Sequence, residues 1–156
     1  MGAGLVRSFG VAGASVVSVD IDEPEGSRIA AESGATFMRC DVSEKDSVEE
    51  AFDRAASHLG GIDVVVHAAG IAPGAAAEET PIEIWKRTME VNATGTFLTN
   101  QAAFQHLREK GGRIINLASA AGVKGYPGKA AYAASKGAVS RGCGRSPSNG
   151  LHSGSR

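Results

Sequence analysis

Short apolar runs alternate with longer amphipathic stretches along this chain. Val16-Val17-Ser18-Val19 reads as a buried strand ending at Asp20, and Ala35-Thr36-Phe37-Met38 as a second ending at Cys40-Asp41. Ile62-Asp63-Val64-Val65-Val66 and Arg113-Ile114-Ile115-Asn116-Leu117 supply a third and a fourth. Between them the apolar period lengthens. Residues 24–33 predict a helix closed by Gly34. Val48, Ala51, Phe52, Ala55 and Leu59 recur at helical spacing, with Ser43 as N-cap and Gly60-Gly61 as the stop. Thr80-Pro81-Ile82-Glu83 has the form of a capping box with proline at the first helical position, opening a long helix to about Lys110. Residues 129–139 begin another helix. Residues 2–19 faintly suggest a signal peptide, but Arg7 and Ser8 interrupt the apolar run, which reads better as a helix running into a strand. Strands that are apolar on both faces and alternate with helices indicate an α/β fold, a parallel sheet with helices on both sides.

Composition adds few constraints. A length of 156 residues suits one domain. The 16 Lys+Arg and 17 Asp+Glu nearly cancel, which argues against nucleic-acid or anionic-membrane partners. No apolar run is long enough to span a bilayer. Cys40 and Cys143 are far apart and in no zinc or redox spacing, so a cytoplasmic setting is the default expectation, and no cluster has metal-ligand spacing. Glycine, at 21 residues, is about twice its usual share, so the backbone needs tight turns or close approaches. Residues 1–140 read as the folded unit. Residues 141–156 hold Gly142, Gly144, Pro147, Gly150 and Gly154 and no acid, and are expected to be a disordered or aberrant tail.

The chemistry concentrates on Ser119, Tyr132 and Lys136. Tyr132-Ala-Ala-Ser-Lys136 sets a phenol and an ammonium four residues apart, on one helical face. A neighbouring cation favours a phenolate, and a phenol so tuned can exchange a proton with an alcohol or carbonyl oxygen. Ser119, just past a strand end, is within reach of the same oxygen.

With Gly2-Ala-Gly4 opening a helix, Asp20, Asp41-Val42, His67-Ala68-Ala69-Gly70, Val91-Asn92-Ala-Thr-Gly95 and Ile114-Ile-Asn-Leu-Ala-Ser119, the chain resembles the short-chain dehydrogenase/reductase family from Gly2 to about Val139. The resemblance implies a Rossmann-type doubly wound sheet in three α/β/α layers and an oxidoreductase moving hydride between a nicotinamide cofactor and an alcohol or ketone. Tyr132 is then the general acid/base, and Lys136 supports it and binds ribose hydroxyls. Ser119 orients the substrate oxygen, and Asn92 holds a relay water at a kink in the long helix. Gly2 and Gly4 belong to the phosphate loop at a helix N-terminus. Asp20 takes the adenosine ribose hydroxyls, which favours NAD over NADP. Asp41 and Val42 meet the adenine, and Ala69 and Gly70 let the backbone approach the cofactor. Complete family members are commonly homo-oligomers that pair the long helix.

The sequence also departs from the family pattern. The family's first strand and first loop glycine precede the position of Gly2, and its last strands and a Pro-Gly segment follow that of Val139. The first strand belongs between those ending at Asp20 and Val66. His67 stands where asparagine is common and is read as a buried hydrogen-bonding residue. An inactive family member with weak or no cofactor binding is therefore the alternative, and the 156 residues alone are expected to turn over little or nothing.

Overall fold

A computed structural model describes residues 1–142. Helix α1 (Gly2–Val11) leads into strand β1 (Val17–Asp20), as expected of a helix running into a strand. Helix α2 (Glu23–Ser33) follows. Its N-cap is Asp22, whose carboxylate accepts the Glu25 amide, and Gly34 closes it at φ 65°. Strand β2 (Thr36–Arg39), helix α3 (Lys45–Leu59) and strand β3 (Val64–His67) come next. Helix α4 (Ile82–Met89), a π-turn (Glu90–Thr94) and helix α5 (Gly95–Leu107) make one continuous rod. Strand β4 (Arg113–Asn116) and helix α6 (Ala130–Gly142) complete the described chain. Of the tail expected at 141–156, Arg141 and Gly142 extend α6, and residues 143–156 lie outside the described residues.

Two caps differ from expectation. Ser43 does not cap α3; Glu44 holds the N-cap position, because the Ser43 hydroxyl is bonded to Asp41. Thr80 makes no capping box. Its hydroxyl donates to the Ala76 carbonyl, and Pro81 becomes the N-cap of a helix that begins at Ile82. Strand β3 starts two residues later than the apolar run, since its pairing with β4 begins at Val64 opposite Arg113.

The strands pair in parallel as β1–β2 and β3–β4, two separate ladders. Among the described residues β1 and β3 are not bonded to one another, as the family strand order implies. One core nonetheless joins them. Met38, Ala55, Ile62, Ala103 and Leu107 are buried together, with Val17, Val65 and Ile114 packed against them. All four strands thus rest on the α3–α5 layer. Phe37 points the other way, against α2, so the β1–β2 pair has helices on both faces. On the outer face of β3–β4, Val64 and Ile115 are 43% and 42% exposed.

Candidate active site

The candidate residues gather at strand C-termini, where open parallel sheets take their ligands. Asp20 ends β1, Asp41-Val42 lie just past β2, His67 ends β3 with Ala68–Gly70 after it, and Leu117–Ser119 follow β4. Gly2 and Gly4 form the first turn of α1, with open space where a β-carbon would stand.

Asn92 organises the side that carries Tyr132 and Lys136. It is fully buried in the π-turn. Its Nδ2 donates to the Ile71 carbonyl at 2.8 Å and to Ser135 Oγ at 2.9 Å, and its Oδ1 accepts the Ile71 amide at 2.8 Å. Three bonds therefore tie the long rod to the loop after β3 and to α6. Ser135 Oγ in turn donates a hydrogen bond to the Tyr132 carbonyl at 2.8 Å, so the turn carrying Tyr132 is anchored through Ser135 to Asn92. Thr96 Oγ1 donates to the Asn92 carbonyl at 2.6 Å.

Lys136 is 6% exposed, and its Nζ donates to the Leu117 carbonyl at 2.8 Å, just past β4. Burial holds its ammonium below the usual lysine range. A β-carbon on Gly70 would stand 3.1 Å from Asn92 Oδ1 and 3.6 Å from Lys136 Nζ, so Gly70 belongs to the same cluster. Tyr132 and Ser119 are partly buried, and Ser119 Oγ accepts the Ala121 amide at 3.2 Å.

On the cofactor side, Asp20 is exposed and its Oδ1 accepts the Asp22 amide at 3.0 Å. Asp41 Oδ1 is taken by Ser43, from the hydroxyl at 2.6 Å and the amide at 2.9 Å. The Ser43 hydroxyl and amide and the nearby Arg87 and Arg39 charges hold its carboxyl below the ordinary carboxylate range, against a smaller opposing effect of burial. Val42 is partly buried against α5, with Cγ2 only 2.9 Å from where a Gly95 β-carbon would be. The parts suit a dinucleotide: an open Gly-x-Gly helix start for phosphates, an exposed carboxylate at a strand end, and backbone at Gly70 close to a buried ammonium.

His67 is buried as expected, but its Nε2 has no hydrogen-bond partner among the described residues. The hydrogen-bonding expectation fails at that atom. Sequence reasoning also missed Ser135, Ile71 and Arg87. Ser135 stands inside the Tyr132–Lys136 spacing and could have been found there. Ile71 contributes only main-chain atoms, and Arg87 meets Ser43 across 44 residues, so neither carries a local signal. Concavities between α3 and α5, lined by Gln105 and His106, include none of the candidate residues.

Residues 1–146 match the family described as enoyl-(acyl carrier protein) reductase. The trans-4-hydroxycyclohexanecarboxylate dehydrogenase of Sinomonas cyclohexanicum is 35% identical over 147 residues, covering 87% of this chain and 57% of that protein. The L-fucose dehydrogenase of Oryctolagus cuniculus is 38% identical over 141 residues, covering 89% of this chain and 50% of that protein. A Xanthobacter autotrophicus protein named inactive 2-(S)-hydroxypropyl-CoM dehydrogenase 2 is 40% identical over 138 residues, covering 86% and 60%. The chain thus spans between 50% and 60% of the length of these relatives. With the family matched across nearly all of its residues, and dehydrogenases of that family related to it over the same span, this chain belongs to the short-chain dehydrogenase/reductases.

Proposed function

We propose that the chain carries the cofactor site and proton-transfer residues of an NAD(H)-dependent dehydrogenase acting on an alcohol or the matching ketone. The observation that supports this most is the anchoring of the catalytic turn: Asn92, Ser135 and Lys136 are all buried, and their bonds fix α6 against the strand ends. So much buried polar structure is costly unless fully bonded, and here it is bonded.

The nicotinamide, when bound, supplies the hydride acceptor or donor. Gly2 and Gly4 bring the N-terminus of α1 to its phosphates, Gly4 by leaving room for them, since its own amide donates to the Met1 carbonyl. Asp20 accepts from the adenosine ribose hydroxyls and repels a 2′-phosphate, which favours NAD over NADP. Asp41 and Val42 border the adenine, and Ala69 and Gly70 give the cofactor close access to the backbone. Ser119 Oγ hydrogen-bonds the substrate oxygen. In the oxidising direction the Tyr132 phenolate takes the hydroxyl proton; in the reducing direction the phenol returns one. Lys136, charged and partly stripped of water, favours the phenolate and bonds the nicotinamide-ribose hydroxyls. Asn92, at the turn in the long rod, holds a water that carries the proton onward. The substrate class is an alcohol, in keeping with relatives named as dehydrogenases of a hydroxycyclohexanecarboxylate and of L-fucose.

A second reading is cofactor binding without turnover. It is favoured by the two unjoined strand pairs and by the relative named as inactive. Calorimetric titration with NAD and with NADP, followed by a dehydrogenase assay across secondary alcohols including L-fucose, decides between them. Turnover that falls by about a hundred-fold or more in Tyr132→Phe supports the first reading. NAD binding with no turnover supports the second. A chain that binds neither nucleotide contradicts both, and a preference for NADP contradicts the role given to Asp20.

A further inference from the structure

Arg87 projects from α4 toward the loop after β2. Its Nη1 donates to Ser43 Oγ at 2.9 Å, and its Nη2 lies 3.7 Å from Asp41 Oδ2. Ser43 in turn gives both its hydroxyl and its amide protons to Asp41 Oδ1, and the Asp41 amide donates to Ser47 Oγ at 3.0 Å. The guanidinium therefore engages the side chains of both Asp41 and Ser43 in a loop that is also bonded to itself, to α3 and, from the Cys40 amide at 3.0 Å, to the Asp20 carbonyl of β1. Arg87 is also five residues before Asn92, on the same rod. The loop that borders the proposed adenine site and the turn that anchors the proposed proton-transfer site share one helix.

The bonding also redistributes what Asp41 can do. Oδ1 already accepts two protons, so any base-edge donor must reach Oδ2, the oxygen that Arg87 faces. A carboxylate oxygen can accept from an exocyclic amine and a guanidinium together. The position of that oxygen is then set by Arg87 as well as by Ser43.

We infer that Arg87 is a positioning residue for the adenine half of the cofactor. It holds the Asp41–Ser43 loop in the form that receives the base, and it has no part in binding the nicotinamide half. The inference rests on the cofactor reading above.

The test is calorimetry with adenosine 5′-monophosphate and, separately, nicotinamide mononucleotide. Arg87→Ala is expected to weaken adenylate binding by about five-fold, the scale of a partly exposed charge-assisted contact, and to leave the mononucleotide unchanged. Arg87→Lys recovers part of the loss. Ser43→Ala also weakens adenylate binding, and the double variant loses less than the sum of the two losses, because the two side chains share the Arg87–Ser43 bond. Hydrogen exchange gives a readout without ligand: the Ser43 amide exchanges faster in Arg87→Ala, while the Thr88 amide within α4 does not. Unchanged adenylate affinity in Arg87→Ala, or equal losses for both nucleotides, overturns the inference while leaving the cofactor reading intact. A wild-type chain that binds neither nucleotide overturns that reading and this inference with it.

Discussion

His67 ends β3 at 4% exposure, with Nε2 enclosed and unbonded among the described residues. Burial, and then the Lys136 charge, lower its pKa from 6.5 to about 4. The folded chain therefore keeps the imidazole neutral through a pH range in which the unfolded chain protonates it. Between pH about 6.5 and 4 the unfolded state binds more protons, so stability rises with pH across that window. The contribution is fully present above about 6.5 and is lost as pH falls through the folded value. The gap corresponds to about 3 kcal/mol at most. Urea midpoints measured from pH 7 down to 4.5 should fall, and His67→Asn should flatten that slope. An unchanged slope in the variant would place the pH dependence in other groups. The sequence made His67 legible as a buried residue, since it closes an apolar run. It could not reveal the unbonded nitrogen, because a side chain's hydrogen-bond partners are fixed by tertiary packing, not by the local pattern. Tyr132, Ser135 and Lys136 contrast with it, since their spacing within one helix carries their juxtaposition.

At the level of elements, the apolar period described residues 81–110 as a single helix. The rod does run on, but it widens into a π-turn at Glu90–Thr94, and such turns often mark functional sites. The extra residue in that turn has no periodic signature. It accompanies the Asn92 bonds to Ile71 and Ser135, which exist only once three elements have met. The approach of the short turn Ala120–Gly122 to α6 was equally invisible. A β-carbon on Gly122 would sit 2.5 Å from the Lys136 carbonyl carbon and 2.6 Å from its oxygen, too near for either backbone to stay in place. Gly122→Ala should therefore push α6 outward at Lys136. We expect a loss of about 1–3 kcal/mol in thermal unfolding, typical of overpacking, together with weaker nicotinamide mononucleotide binding. Gly125→Ala is the matched control, since a β-carbon there meets nothing within 4 Å. If the two variants behave alike, close packing at Gly122 is not what holds Lys136.

For the whole molecule, the parallel α/β order was readable from alternating patterns, and the separation of β1 from β3 from the family strand order. The consequences for the surface were not, since exposure depends on what packs across each face. Among the described residues β1 and β3 each have one edge bearing unpaired backbone groups, the feature that invites association of chains. Beside the β3 edge, Val64 and Ile115 face outward from β3–β4, and on α5 Phe97 and Phe104 are 61% and 47% exposed. Val64 with Ile115 and Phe97 with Phe104 thus make two separate exposed apolar surfaces, on opposite sides of the β3–β4 pair. The 156-residue chain should therefore bind an environment-sensitive naphthalene sulfonate dye while its far-ultraviolet dichroism remains that of a folded α/β protein. Dye binding of that kind can also come from loose packing throughout a chain. The two origins separate by mutation. Val64→Thr with Ile115→Thr keeps the β-branched shape that suits a strand and removes apolar surface from one face. If the outer face of β3–β4 is the dye site, fluorescence drops in the double variant and the unfolding midpoint holds. If fluorescence is unchanged, the dye reports on α5 or on loosened packing. Adding Phe97→Gln and Phe104→Gln then distinguishes those two, because only a surface site on α5 responds to them.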